Sequence, residues 1–401
     1  MNPNSSENHT VLIVDEDPAL TRSFQRALRE EPYTLLLASD GNEALSYVDS
    51  VPLDLVITDI RMTGVNGYEF LSEVKRRQPG IVRVVFSGYA DRQSMVKVVA
   101  EGIAGAYLIK PCPMQVLKTH IRRFLDLGDR LKTYRKKWGD RNPEIRDIPL
   151  QAGTYNRLMT MIRKNSSMDE LARFLGRDPA LAGGILATAN SAFYGSGIGS
   201  IKEALLIMGL NTVRNIVITV ELFHLFSGTK KEKEELALLK RHAELSGALF
   251  NGLYAELAGK KVPDEISCCG LLHDIGTIVM LVKMPDQYHA ARKRMESGGL
   301  RDTCRQEKEE CGLDHQELGA LVLELFNMPY PVIESAMHHH DPVSAPESEQ
   351  FVCGLVHVAA ASAWERIFGP GLKADVDDRV FDMISEEREY VENVVKGIVS
   401  S

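Results

Sequence analysis

The stretch LDLVITDIRMTGVNGYEFL, residues 53–71, decides the fold. Its first six residues include the run Leu55–Thr58, whose β-branched and apolar side chains suit a strand buried on both faces. That run stops at a carboxylate, Asp59. Turn formers follow at Gly64, Asn66 and Gly67, and then an amphipathic helix read over 68–77. Working outward, the same alternation recurs. Strands are read at 10–14, 33–38, 53–58, 82–86 and 106–109. Helices are read at 19–29, 41–49, 68–77 and 92–101, with a last one from Met114. Strands that alternate with helices in this way make an α/β doubly wound five-stranded parallel sheet, with its chemistry at the carboxyl ends of the strands.

Those ends carry reactive side chains. The first strand runs into Asp15, Glu16 and Asp17, the third into Asp59, the fourth into Ser87 and the fifth into Lys110-Pro111. Carboxylates converging from adjacent strands repel one another unless a cation sits among them. A hard, oxygen-liganded ion such as Mg²⁺ suits the set, since it needs few carboxylates and keeps its waters. A carboxylate ringed by a divalent cation, an ammonium and a hydroxyl is equipped to attack a phosphoryl group and hold the product's charge.

Beyond residue 147 the β-branched runs disappear and a 3.6-residue periodicity takes over, so a separate all-α domain is expected. Ser167-Met-Asp-Glu170 reads as a capping box, and Asp178-Pro179 as a helix start. The final stretch, 378–398, reads as one helix. Between the two halves, Leu117, Ile121, Phe124, Leu127, Leu131, Tyr134 and Trp138 step by three and four. The last helix of the first domain either continues past Gly128 or restarts after it. Its stripe suits either a dimeric coiled-coil lever or packing on the chain's own output domain. In the helical half, His242 shares a face with Leu238, Leu245 and Leu249. His273-Asp274 interrupts the apolar run GLLHDIGTIVM, His315 opens a helix, and His338, His339 and His340 stand together. A His-Asp pair inside an apolar run needs buried partners or a metal.

Composition narrows the class. The 401 residues carry 47 basic and 55 acidic side chains, a formal net charge of −8, which speaks against broad nucleic-acid or membrane affinity. The polar start MNPNSSENHT is unlike a signal peptide, and no window reaches the ~18 uninterrupted apolar residues of a membrane helix. The six cysteines form no CxxC pair and read as reduced core thiols. A cytoplasmic protein is expected.

VLIVDEDP (11–18), DLVITDIRMTGVNGYEFL (54–71), VVFSGYAD (84–91) and YLIKP (107–111) together resemble the receiver domain of two-component response regulators. The resemblance makes Asp59 the phosphoacceptor, and Asp15 and Glu16 the acidic pair. Mg²⁺ would be held by these side chains, with Glu16, Asp59 and the backbone carbonyl of Arg61 as direct ligands. Ser87 becomes the switch hydroxyl, Tyr107 the switch aromatic, and Lys110 the phosphate-contacting lysine before a cis Pro111. Thr63 stands where a proline is common. It also implies an upstream sensor histidine kinase.

A second resemblance rests on LLHDIG, DPALAGGILATANSAFYG (178–195), SIKEALLIMGLNTVRNIV (200–217) and HQELGALVLELFNMPYPVIESAMHHHDP (315–342). These look like the HDOD branch of the HD phosphohydrolase superfamily. His242, His273, Asp274, His315, His339 and His340 fall where the related HD-GYP phosphodiesterases hold metal. Leu238, Thr277 and Ala360 replace a ligand Glu, a catalytic Lys and a ligand Asp, and the GYP loop is absent. Paired metals need carboxylates to neutralise their charge, which leaves a single imidazole-bound transition ion as the remaining metal option. The domains are expected at 10–125 (receiver), 126–147 (helical linker) and 148–401 (HDOD output). Phosphorylation is expected to switch a non-catalytic output that binds a downstream protein or nucleotide, with a homodimer through the receiver and linker helix as one assembly. The alternative is a receiver-controlled metal-dependent phosphodiesterase acting on a cyclic dinucleotide.

Overall fold

The computed structural model describes residues 9–88, 91, 94–95, 98–99, 101–141, 153–164, 166–189, 198–224, 229–263, 265–295, 303–369 and 376–400. Half of the helix expected at 92–101 lies outside them, as do the stretch 190–195 of the second resemblance and the end of the expected linker, 142–147. The chain divides into two compact units: the residues up to Arg135 together with Phe326–Tyr330, and the remainder, Lys136–Leu325 with Pro331–Ser401.

The first unit is built on five parallel strands: β1 (His9–Val14), β2 (Tyr33–Ala38), β3 (Leu55–Thr58), β4 (Val82–Gly88) and β5 (Ala106–Lys110), in the order β2-β1-β3-β4-β5. The order reverses between β1 and β3, which opens a crevice at their carboxyl ends. Leu12, Val14, Val56 and Val85 on the strands pack with Phe70, Leu71 and Val74 of α3 (Gly67–Arg77) into one core, all nearly inaccessible. α1 (Pro18–Ala27) starts at Asp17, whose carboxylate accepts the Ala19 N–H at 2.8 Å, with proline at its first turn. Asp17, grouped by sequence with the acidic edge, therefore caps a helix. α2 (Gly41–Ser50) is capped in the same way by Asp40.

α4 (Met114–Arg141) runs unbroken through Gly128. A Cβ at Gly128 would lie 3.1 Å from Val82 Cγ2, so the glycine lets the helix lie close against the sheet. Leu117, Ile121, Phe124, Leu127 and Leu131 are all buried. Most of the stripe offered as a dimer seam is thus covered within the chain itself.

Among the described residues the second unit is helical. The expected capping box at Ser167 forms, and a second one at Thr229/Glu232 starts the helix Lys230–Leu257. The helix expected over 378–398 is corrected to two, Arg379–Ile384 and Arg388–Ser400, because Ser385 adopts the left-handed conformation (φ 56°) and ends the first. Glu347–Phe368 is the one described helix long and apolar enough to cross a membrane, and 56% of its most apolar window is buried within the protein.

Candidate functional site

The register of the sheet assembles the first site. Val14 pairs with Thr58, so the next residues, Asp15 and Asp59, leave β1 and β3 side by side. Ser87 and Lys110 arrive from β4 and β5, where Gly88 pairs with Lys110. Ser87 Oγ donates to Asp59 Oδ1 at 2.6 Å, and the Arg61 N–H donates to the same oxygen at 3.1 Å. The Lys110 ammonium bonds Asp15 Oδ2 at 2.6 Å and also Asp59 Oδ2. Glu16 is exposed and accepts the Thr63 N–H at 2.9 Å. The Lys110-Pro111 bond is cis. Tyr107 packs, half-buried, on the sheet's core.

Electrostatics follow from this packing. Burial would raise the Asp59 carboxyl, yet the bonds from Lys110 and Ser87 outweigh it and hold it below the usual range. Burial would likewise lower Lys110, and its bonds to Asp15 and Asp59 raise it instead. Asp15 and Asp59 bring two carboxylates to one edge of the sheet, an oxygen pair that fits a hard divalent cation. Asp91 has a role the sequence reading missed. Its Oδ2 lies 3.1 Å from Ser87 Oγ, and its other oxygen pairs with Arg61. A serine has one hydroxyl hydrogen, so Ser87 donates to one carboxylate at a time.

The second site gathers the histidines. Gly276, two residues after Asp274, makes the assembly possible: a Cβ there would stand 1.9 Å from the His315 carbonyl oxygen. The helices Ile275–Lys283 and His315–Leu325 can therefore touch backbone to backbone. His273 Nδ1 donates to the Gly270 carbonyl (2.8 Å) and His339 Nδ1 to that of Ala336 (2.9 Å). Carbonyls only accept, so both rings carry their proton on Nδ1 and keep a lone pair on Nε2. His242 Nε2 donates to the Ala360 carbonyl at 3.1 Å, leaving its Nδ1 3.9 Å from Asp274 Oδ2. His315 Nδ1 bonds Glu307 at 2.6 Å, while His315 Nε2 lies 2.9 Å from His340 Nε2 and 3.3 Å from His339 Nε2.

The charges sort accordingly. Burial works against His315, but Glu307 overrides it and pushes the ring up to about 9. Burial lowers His242 to about 4, and it lowers His273 and His339 as well. Burial would raise Asp274, but the surrounding histidines keep it low, and Thr277 donates to it. All six expected residues converge, with His242, His273 and Asp274 forming one possible ligand set and Asp274, His315 and His339 another.

Four contributors were not foreseen. Glu307 holds His315, Trp364 stacks on His242 with ring centroids 4.0 Å apart, and Cys304 adds a sulfur near His315 and His340. His357 is structural: its Nδ1 donates to the His339 carbonyl (2.7 Å), and its Nε2 accepts the Asp377 N–H (3.2 Å).

Comparison with known proteins matches the family described as "Response regulator receiver domain" to residues 11–122 and "HDOD domain" to 148–342. The hydrogenase transcriptional regulatory protein HoxA of Cupriavidus necator is 37% identical over 107 residues, 27% of this chain and 22% of its own length. The transcriptional regulatory protein TrcR of Mycobacterium tuberculosis is 30% identical over 176 residues, 43% of this chain and 66% of its own length. The chain thus spans less than two thirds of either relative. A solved HDOD domain protein of unknown function from Geobacter sulfurreducens is 21% identical, with a TM-score of 0.45, and the match covers 62% of this chain and 83% of that one. The crevice around Asp59 and the histidine cluster each fall within a matched segment, and the chain carries an N-terminal response regulator receiver domain followed by an HDOD domain.

Proposed function

We propose that Asp59 accepts a phosphoryl group from a sensor histidine kinase or a small phosphodonor, and that this switches the HDOD domain between two binding states. The observation that supports this most is the convergence of Ser87, Lys110 and Asp15 on Asp59. Asp15, Glu16, Asp59 and the Arg61 carbonyl would hold Mg²⁺, which would supply neutralising charge for the incoming group. An Asp59 oxygen attacks phosphorus, the P–O bond forms, and the donor leaves with the electrons of the bond it loses. Lys110 then holds a phosphoryl oxygen. Ser87 turns its hydrogen to another phosphoryl oxygen, and Tyr107 follows on the same face. A covalent phosphate biases a switch only through contacts that differ between two states, and these residues provide them. Acetyl phosphate with Mg²⁺ should add one phosphoryl group to the wild type and none to Asp59→Asn, read by intact mass. Equal modification of both would overturn the assignment.

We read the HDOD domain as a cytoplasmic binding module for a downstream protein or nucleotide. The Ala360 carbonyl takes the His242 proton and Trp364 covers that ring, in a cluster whose second carboxylate, Glu307, is already committed to His315. The rival reading, a metal-dependent phosphodiesterase, is favoured by the lone pairs of His273 and His339 beside Asp274. Turnover of a cyclic dinucleotide that is lost in His273→Ala would establish the rival.

A further inference from the structure

Cys304, His315 and His340 place one sulfur and two imidazole nitrogens within 4.8 Å of one another. Cys304 comes from the helix Thr303–Cys311, outside the histidine motifs, and is only partly buried, whereas Cys268, Cys269, Cys311 and Cys353 are core residues. We propose that these three side chains form a sulfur-bearing site for a borderline-soft divalent ion such as Zn²⁺.

Three observations carry it. Thiolate with imidazole is the donor pairing that selects zinc-like ions over Mg²⁺ or Ca²⁺. His315 is oriented from behind by Glu307 at 2.6 Å, the carboxylate–histidine arrangement that fixes a ligating ring with Nε2 forward. His340 Nε2 already faces that nitrogen at 2.9 Å. Tetrahedral coordination at bond lengths of about 2.0–2.3 Å puts ligand atoms about 3.3–3.6 Å apart. Assembly therefore needs the Cys304 side chain to close by up to about 1.5 Å, leaving its present partner, Gln316 Oε1 at 3.4 Å, and the two histidine nitrogens to open slightly from 2.9 Å. Three protein ligands leave a fourth position for water or an external ligand. The set shares His315 with the Asp274–His315–His339 group and shares nothing with His242–His273–Asp274. One Nε2 binds one ion, so an ion held by Cys304 excludes one held jointly by His315 and His339. This site stands independently of the phosphoswitch, and its failure would leave that reading intact.

The test is Co²⁺ added to the metal-free full-length protein, unphosphorylated, followed by near-ultraviolet absorption. A thiolate-to-cobalt charge-transfer band is expected in the wild type, in Cys311→Ser and in Cys112→Ser, and is expected to vanish in Cys304→Ser. Glu307→Gln should keep the band and weaken Zn²⁺ affinity by about 10–100-fold. In the unmodified protein, Zn²⁺ should slow alkylation of Cys304 and leave that of Cys112 unchanged, mapped by peptide mass spectrometry. No band in the wild type, a band that survives Cys304→Ser, or alkylation of Cys304 indifferent to Zn²⁺ would overturn the site.

Discussion

Asp15 and Asp59 leave neighbouring strands side by side, and Lys110 is the group that bridges them. Replacing it with methionine leaves two partly buried carboxylates facing each other without a countercharge. We expect Lys110→Met to lose about 1–3 kcal/mol in the absence of divalent ions. Mg²⁺ should raise the melting temperature of the variant more than that of the wild type, because only the ion then separates the charges. Equal responses of the two proteins would argue against a shared cation position. Asp15, Asp59, Ser87 and Lys110 were legible in the sequence because each ends or follows an apolar run, and the strand ends of such a sheet lie together. Asp91 was not legible as a Ser87 partner. Nothing in its neighbours says that the chain folds back to set its carboxylate 3.1 Å from that hydroxyl.

At the scale of elements, helix contacts decide both units. Gly276→Ala would drive a methyl into the backbone of His315, so the two helices must separate. A cost of about 2–3 kcal/mol is expected, measured by urea denaturation. In the first unit, Glu31 ties α4 down through Lys118 (3.1 Å) and Arg122 (2.8 Å). Burial would raise the Glu31 carboxyl, but these two partners lower it below 4.5. A group whose folded pKa is depressed contributes stability above its unfolded pKa and loses it as the pH falls through the folded value. Glu31→Gln should therefore cost about 1 kcal/mol at neutral pH, and the gap to the wild type should close as acid protonates the carboxylate. A gap that persists in acid would mean the carboxylate's charge is not what matters. The helix break at Ser385 was not legible, since a left-handed serine has no local sequence signal. Glu307 escaped notice for a related reason: TCRQEKEEC reads as a solvated, charged helix, and only tertiary packing buries this one acid against His315.

For the molecule as a whole, the layout is a phosphoryl-accepting crevice in one unit and a histidine cluster in the other, with the division between the units falling inside one helix that runs from Met114 to Arg141. The change of periodicity after residue 147 made the two-part organisation readable, whereas the histidine cluster was readable mainly through family resemblance. Side chains gathered from separate helices and turns share no single motif, and at Ala360, which stands where the resemblance puts a ligand Asp, this chain offers its backbone carbonyl to His242. The account rests first on Asp59. The most direct measurement is reduction of the phosphorylated protein with borohydride, which converts an acyl phosphate to the alcohol, followed by peptide mass spectrometry. We expect homoserine at position 59 after treatment with phosphodonor and Mg²⁺, and none when the ion is chelated. Reduction at Asp15 or another carboxylate, or no reduced residue at all, would contradict the account.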